Sequence, residues 1–213
     1  MSVLPTLDLD FIRAQRCIAI VRGTSTAHFD ETARTLVSSG VRMLEFPLTT
    51  PGVLDALQSV AEEHTGSAYV GAGSVTTMAG ARAAHAAGAQ FLVTPNFDSA
   101  VVKYARSVNI PVFAGALTPT EIHAAWAAGA TAVKVFPASL GGPGYIRELR
   151  NGPYPEIPLI PTGGVAIADV PAFLAAGALA LGMGSALLGS ATDGGAQSAL
   201  RVRVADFHSK ARC

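Results

Sequence analysis

Cysteine is nearly absent: the 213-residue chain has two, Cys17 inside an apolar run and Cys213 at the last position. That excludes a disulfide framework and suits a reducing compartment, so a cytoplasmic protein is expected. Charge is scarce too, at 14% of residues, with Lys+Arg equal to Asp+Glu at 15 each. A chain without basic excess offers neither a nucleic-acid stripe nor a polybasic membrane anchor. No apolar run reaches the roughly 18 residues of a spanning helix. The opening MSVLPTLDLDFIRAQR has no basic segment followed by a long apolar one, so no signal peptide is expected. His28, His64, His85, His123 and His208 fall in helical segments, and none forms a pair with ligand spacing near a strand end. No divalent metal centre is expected.

What the chain does have is apolar content, at half of all residues. Strand-like runs recur at 17–21, 42–48, 69–73, 91–95, 111–117, 132–137, 158–164 and 178–184. Between them lie Ala-rich stretches with helical spacing, including DALQSVAEEH, MAGARAAHAA, PTEIHAAWAA and DVPAFLAA. One phrase returns four times, as SSGVRMLEF, AAGAQFLVT, AAGATAVKV and AAGALALGM. Its glycines, Gly40, Gly88, Gly129 and Gly177, lie 48, 41 and 48 residues apart, and each gap holds two strands. Strands apolar on both faces that alternate with helices predict a parallel sheet covered by helices. Eight such units predict a single-domain (β/α)₈ barrel over residues 1–213, with a helical lead-in near 6–16 and a closing helix near 196–210. The competing fold is an open doubly wound sheet, which needs a phosphate loop after its first strand. IVRGTSTAHFD has one glycine there, and GAGSVT at 71–76 lacks the third glycine of a dinucleotide fingerprint.

A barrel gathers functional residues at the carboxyl ends of its strands. Two ionisable residues interrupt apolar strands, Glu45 in MLEFP and Lys134 in AVKVFP. One reading is a buried structural ion pair, although apolar replacements of such pairs often serve stability as well. The other is chemical. An amine held away from water is a nucleophile toward carbonyls, and its iminium draws electrons from the neighbouring carbon. A C–C bond then breaks without a metal, while a nearby carboxylate moves protons. Lys134 and Glu45 are the minimal set for that reaction.

The turns TGGV (162–165) and GMGSAL (182–187) follow the last two strands. In barrels these positions often cradle phosphate on backbone N–H groups, which nominates Gly163, Gly164, Gly184 and Ser185; ordinary tight turns are the alternative. Arg22, after strand one, is either a fork for a carboxylate or a solvated loop residue. Ser74 offers a hydroxyl for the same carboxylate. Thr94, Pro95, Phe136 and Thr162 are expected to wall the pocket. Thr49 and Thr50 read as turn and cap residues before Pro51.

The blocks AIVRG, RMLEFPLTTPG, VGAGSV, GAQFLVTPNFD, FAGALTPTE, AVKVFPAS, IPTGGV and GMGSALL, in order from about residue 12 to about 190, resemble the 2-keto-3-deoxy-6-phosphogluconate aldolases. That family also covers 4-hydroxy-2-oxoglutarate and phosphogalactonate aldolases. The resemblance implies Lys134 as the Schiff-base residue and Glu45 as the proton-transfer residue. It implies phosphate binding by Gly163, Gly164, Gly184 and Ser185, and a pyruvate carboxylate on Ser74, where the family's GAGT becomes GAGS. Some members carry an arginine four residues after the glutamate, where this chain has Thr49. Others carry one after strand one, and Arg22 is then expected to hold the carboxylate.

The implied reaction is reversible cleavage of 2-keto-3-deoxy-6-phosphogluconate to pyruvate and glyceraldehyde 3-phosphate by a cytoplasmic, cofactor-free homotrimer. The galactonate epimer and 4-hydroxy-2-oxoglutarate are alternative substrates. A phosphate-binding isomerase or epimerase barrel would leave Lys134 idle, and a non-catalytic sugar-phosphate-binding barrel would have no use for Lys134 and Glu45 together.

Overall fold

The computed structural model describes residues 4–152 and 154–212; Cys213 lies outside them. Eight strands follow in order: β1 Cys17–Ile20, β2 Met43–Pro47, β3 Tyr69–Gly73, β4 Leu92–Val93, β5 Val112–Ala116, β6 Ala132–Val135, β7 Leu159–Pro161 and β8 Leu181–Met183. The helices are α1 Leu9–Gln15, α2 Phe29–Ser38, α3 Val53–Glu63, α4 Met78–Ala86 and α5 Ser99–Ser107. They continue with α6 Pro119–Ala127, α7 Gly142–Asn151, α8 Val170–Ala175, α9 Ser185–Leu188 and α10 Gln197–Ala211.

All strand pairings are parallel, and the neighbours run β7-β6-β5-β4-β3-β2-β1-β8. A bridge between Thr162 and Gly182 and the Leu179 N–H to Leu159 carbonyl bond join the two ends. The sheet therefore closes into the (β/α)₈ barrel that the alternation predicts, and the open doubly wound alternative is excluded.

Several strands are shorter than their apolar runs. The β4 run stops early because Pro95 has no N–H to continue the ladder. The β7 run stops where Gly163 and Gly164 turn to φ of 90° and 75°. Helix punctuation follows the sequence closely. The repeated glycines Gly40, Gly88, Gly129 and Gly177 all take left-handed φ, from 91° to 97°, and release the chain into β2, β4, β6 and β8. Thr118 and Glu121 form a reciprocal capping box at α6, with Pro119 in its first turn.

Strand alternation sorts the apolar residues into two cores. Ala19, Leu44, Phe46, Ala72, Leu92, Ala114, Val133 and Val135 face the surrounding helices. Ile18, Met43, Phe91, Val93, Phe113, Ala132 and Ile160 fill the lumen, joined from below by Leu7, Phe11 and Ile12 of α1 and its approach. The amino end of the barrel is thus plugged by apolar side chains, and the carboxyl end is left for a site.

Candidate active site

The two-residue period that sends Ala132 and Met43 into the lumen sends Lys134 and Glu45 there too, one layer nearer the carboxyl end. Lys134 lies beside Gly115 of β5 and Ile160 of β7, while Glu45 lies beside Ile20 of β1 and Gly71 of β3. Both are buried, at 6% and 2% exposure. The Nζ to Oε1 distance is 3.8 Å, longer than a hydrogen bond, and Glu45 Oε1 has no hydrogen-bond partner among the described residues. A purely structural pair would close this gap and satisfy the carboxylate, because leaving a buried acceptor unpaired costs about 1–3 kcal/mol. Here the groups stand 3.8 Å apart, beyond hydrogen-bond contact, and an oxygen bonded to both would sit to one side of the line joining them.

Two glycines hold these side chains in place. A Cβ at Gly73 would overlap Glu45 Oε1 and lie 2.6 Å from its Cδ and Cγ, so the glutamate arm lies flat across the bare backbone of β3. A Cβ at Gly163 would lie 2.9 Å from the Phe136 ring, whose face stands 5.4 Å from Lys134 Nζ. Phe136 is 40% exposed at the mouth, so it is a wall of the opening rather than core.

Above the pair is a cavity of about 670 Å³, within the usual range for small-molecule sites. It brings together Arg22, Glu45, Lys134, Phe136, Thr162, Gly163, Gly164, Gly184 and Ser185. Nine of the residues singled out in the sequence thus share one chamber. Ser74, Thr94 and Pro95 do not line it, which departs from the expectation. The β4 positions that face the lumen are odd-numbered, so Thr94 falls on the opposite parity, while Ser74 lies past the end of β3, where its positive φ breaks the alternation. The Thr94 hydroxyl is already committed: it accepts from Gly115 N–H at 3.0 Å and donates to the Asn96 carbonyl at 2.6 Å. Pro95 presents its backbone to Gly115. Ser74 is half-buried with φ of 53°.

The formal charges of the chamber balance. Its only cations among the lining residues are Lys134 and Arg22, and its anions are Glu45 and Asp193. Asp193, with Thr24 and Thr192, was not singled out by any motif. Its Oδ1 accepts from Thr24 N–H at 2.8 Å and from Thr24 Oγ1 at 2.7 Å. Those bonds, the backbone one foremost, hold its carboxyl below the ordinary aspartate range. No motif marks such a contact, which joins positions 169 residues apart. Gly73 and Gly182 carried a readable signal, since a glycine inside a strand marks a close approach. A Cβ at Gly182 would overlap Thr162 Oγ1. Among the described residues no three His, Cys, Asp or Glu side chains are grouped to hold a metal ion.

A model of the KDPG and KHG aldolase family matches residues 9–198. The chain belongs to that family. It is an aldolase, and so an enzyme of the aldehyde-lyase class. The aldolase is 31% identical to a probable 2-dehydro-3-deoxy-6-phosphogalactonate aldolase of Rhizobium meliloti, over 80% of each chain. It is 34% identical to the KHG/KDPG aldolase of Escherichia coli K12, over 67% of each. Among solved structures it superposes on one named native KDPGal with a TM-score of 0.87 at 28% identity, covering 100% of this chain and 98% of the other. A 4-hydroxy-2-oxoglutarate/2-dehydro-3-deoxyphosphogluconate aldolase gives 0.83 at 33% identity, covering 96% and 99%. The relatives thus include both gluconate and galactonate types.

Proposed function

We propose that this aldolase is of class I and cleaves a 2-keto-3-deoxy-6-phospho sugar acid to pyruvate and glyceraldehyde 3-phosphate through an imine on Lys134. The observation that carries the reading is the open, buried Lys134–Glu45 pair at the floor of the chamber. Glu45 takes a proton from the Lys134 ammonium, the free amine adds to the C2 ketone, and proton transfer from nitrogen to oxygen gives the carbinolamine, its hydroxyl beside Oε1. Glu45 passes a proton to that hydroxyl as it leaves as water, giving the iminium. A base, Glu45 or a water it orients, takes the C4 hydroxyl proton. The C3–C4 bond then breaks, its electron pair neutralises the iminium as an enamine, and the aldehyde departs. Protonation at C3 and hydrolysis of the iminium release pyruvate and restore the amine.

Arg22, the guanidinium on the chamber wall, is assigned the pyruvyl carboxylate. Gly163, Gly164, Gly184 and Ser185 are assigned the distal phosphate. Gly184 supports this: a Cβ there would meet nothing within 4 Å, so its backbone borders open space. The carboxylate assignment leaves out Ser74, which does not line the chamber. The gluconate-derived substrate is the principal reading. The galactonate epimer is the second, favoured by the resemblance to galactonate-type relatives. We place the enzyme in the cytoplasm as a homotrimer; no helix of the described residues is long and apolar enough to cross a membrane.

The test is reductive trapping. Borohydride with pyruvate should add one reduced pyruvyl group to the peptide containing Lys134. An isomerase or a non-catalytic binder would add none, and labelling at Lys103 or Lys210 would overturn the assignment.

A further inference from the structure

Arg22 is exposed on the connection between β1 and α2, a segment that needs something to hold its guanidinium over the chamber. Its own side chain has no hydrogen-bond or ion-pair partner among the described residues. The backbone around it is gripped instead by the turn at Ala191–Asp193. Thr192, 2% exposed, donates its hydroxyl to the Arg22 carbonyl at 2.8 Å. Asp193 takes both the amide and the hydroxyl of Thr24 on one oxygen. Between them Gly23 presses on the turn: a Cβ there would lie 3.0 Å from the Thr192 carbonyl and 3.1 Å from the Phe29 ring. The turn is itself rooted, because the Ala191 carbonyl accepts from Thr32 of α2 and from Gln197 of α10, each at 3.1 Å.

We propose that Thr192 and Asp193 are positioning residues that fix Arg22 for the pyruvyl carboxylate. This rests on the carboxylate role assigned to Arg22 above. A long arginine on an untethered loop would lose much of its affinity to the ordering of its own backbone on each binding event. Three hydrogen bonds to backbone and side chain of residues 22–24 make that ordering part of the fold. Asp193 serves here as an acceptor within the protein. Its two bonds to Thr24 are both on Oδ1, which faces the loop.

The test measures KM and kcat for deuterium exchange at the pyruvate methyl group. Arg22→Ala should raise KM by about 10- to 100-fold, the value of a charge-assisted hydrogen bond. Asp193→Ala should raise KM roughly fivefold to twentyfold while kcat changes by less than about threefold. Asp193→Asn retains an oxygen for Thr24 and should recover most of that affinity, and Thr192→Val should resemble Asp193→Ala. The Arg22→Ala/Asp193→Ala double variant should be no worse than Arg22→Ala, because the two act as one unit. Amide exchange at Thr24 should quicken in Asp193→Ala, which reads the tether without reference to catalysis.

Unchanged KM in Asp193→Ala, with KM raised in Arg22→Ala, overturns the tether and leaves the carboxylate role standing. Unchanged KM in Arg22→Ala removes that role and the tether's purpose with it. Losses that multiply in the double variant would show Asp193 meeting the substrate independently, which also overturns the proposal.

Discussion

Gly73→Ala is the smallest change that should disable the site without touching a reacting group. One methyl added to β3 would overlap Glu45 Oε1 and stand 2.6 Å from Cδ and Cγ, where carbon atoms need about 3.5–4.0 Å. The carboxyl must therefore move by roughly 1 Å, and a misplacement of that size costs on the order of 10²-fold in rate. The backbone of β3 cannot yield instead, because Gly73 pairs in register with Pro47 of β2 and its carbonyl accepts the Leu48 N–H at 2.8 Å. Overpacking of this kind costs about 1–3 kcal/mol of stability, which a barrel of this size tolerates. The assay is pyruvate methyl exchange beside a thermal melt. Exchange should fall about 100-fold while the protein remains folded, and Gly73→Ala added to Glu45→Gln should reduce the rate no further. Exchange within about threefold of the parent would refute the reasoning, since it would mean that the position of Glu45 is immaterial.

Glu45→Gln alone should lower kcat by about 10²–10⁴-fold with little change in substrate affinity, measured by steady-state cleavage kinetics. Gly184→Val projects its side chain into open space and should impair the phosphorylated substrate while sparing 4-hydroxy-2-oxoglutarate and pyruvate exchange; equal loss on both substrates would make the turn structural. EDTA should leave the cleavage rate unchanged, since the proposed iminium would do the work of a Lewis acid. Burial pushes the Cys17 thiol up to about 12. The folded chain then keeps a proton that the unfolded chain releases, so stability is full below about pH 8.5 and declines toward pH 12 by up to about 1.4 kcal/mol per pH unit. Alkaline unfolding curves should lose that slope in Cys17→Ala.

Much of the fold was legible because its signals are local. The glycines of the fourfold phrase mark where helices stop, and the strands they feed are apolar on both faces. The paired anomalies Glu45 and Lys134 were legible for the same reason, as charges in runs that should have none. Ser74 and Thr94 stand outside the chamber lining, which was not legible because a hydroxyl just past a strand says nothing about which face it occupies. Parity decides that, and at β4 it turns Thr94 away from the chamber to bond Gly115 and Asn96. Thr192 and Asp193 were illegible for the opposite reason. Their partners at 22 and 24 lie across the closed barrel seam, and only the joining of β8 to β1 brings them together.

The glycines of the upper lumen explain how so many large side chains share one layer. In a packed barrel each lumen position would hold a bulky apolar residue, and the layer below does so with Ile18, Met43, Val93, Phe113 and Ile160. One layer up, β3, β5 and β8 present Gly73, Gly115 and Gly182 instead. These do not leave voids. Glu45 lies over the first, the Pro95 backbone closes on the second, and the Thr162 hydroxyl rests on the third. Each missing Cβ thus admits a neighbour sideways and limits the directions it can take. The same logic continues at the mouth, where Gly163 admits Phe136 and Gly164 admits Ser139. A polar group so constrained keeps its orientation without hydrogen bonds that would consume its lone pairs. That is the condition under which Glu45 Oε1 can stand 3.8 Å from Lys134, buried and without a hydrogen bond, and still be held where the proposed carbinolamine oxygen would arrive.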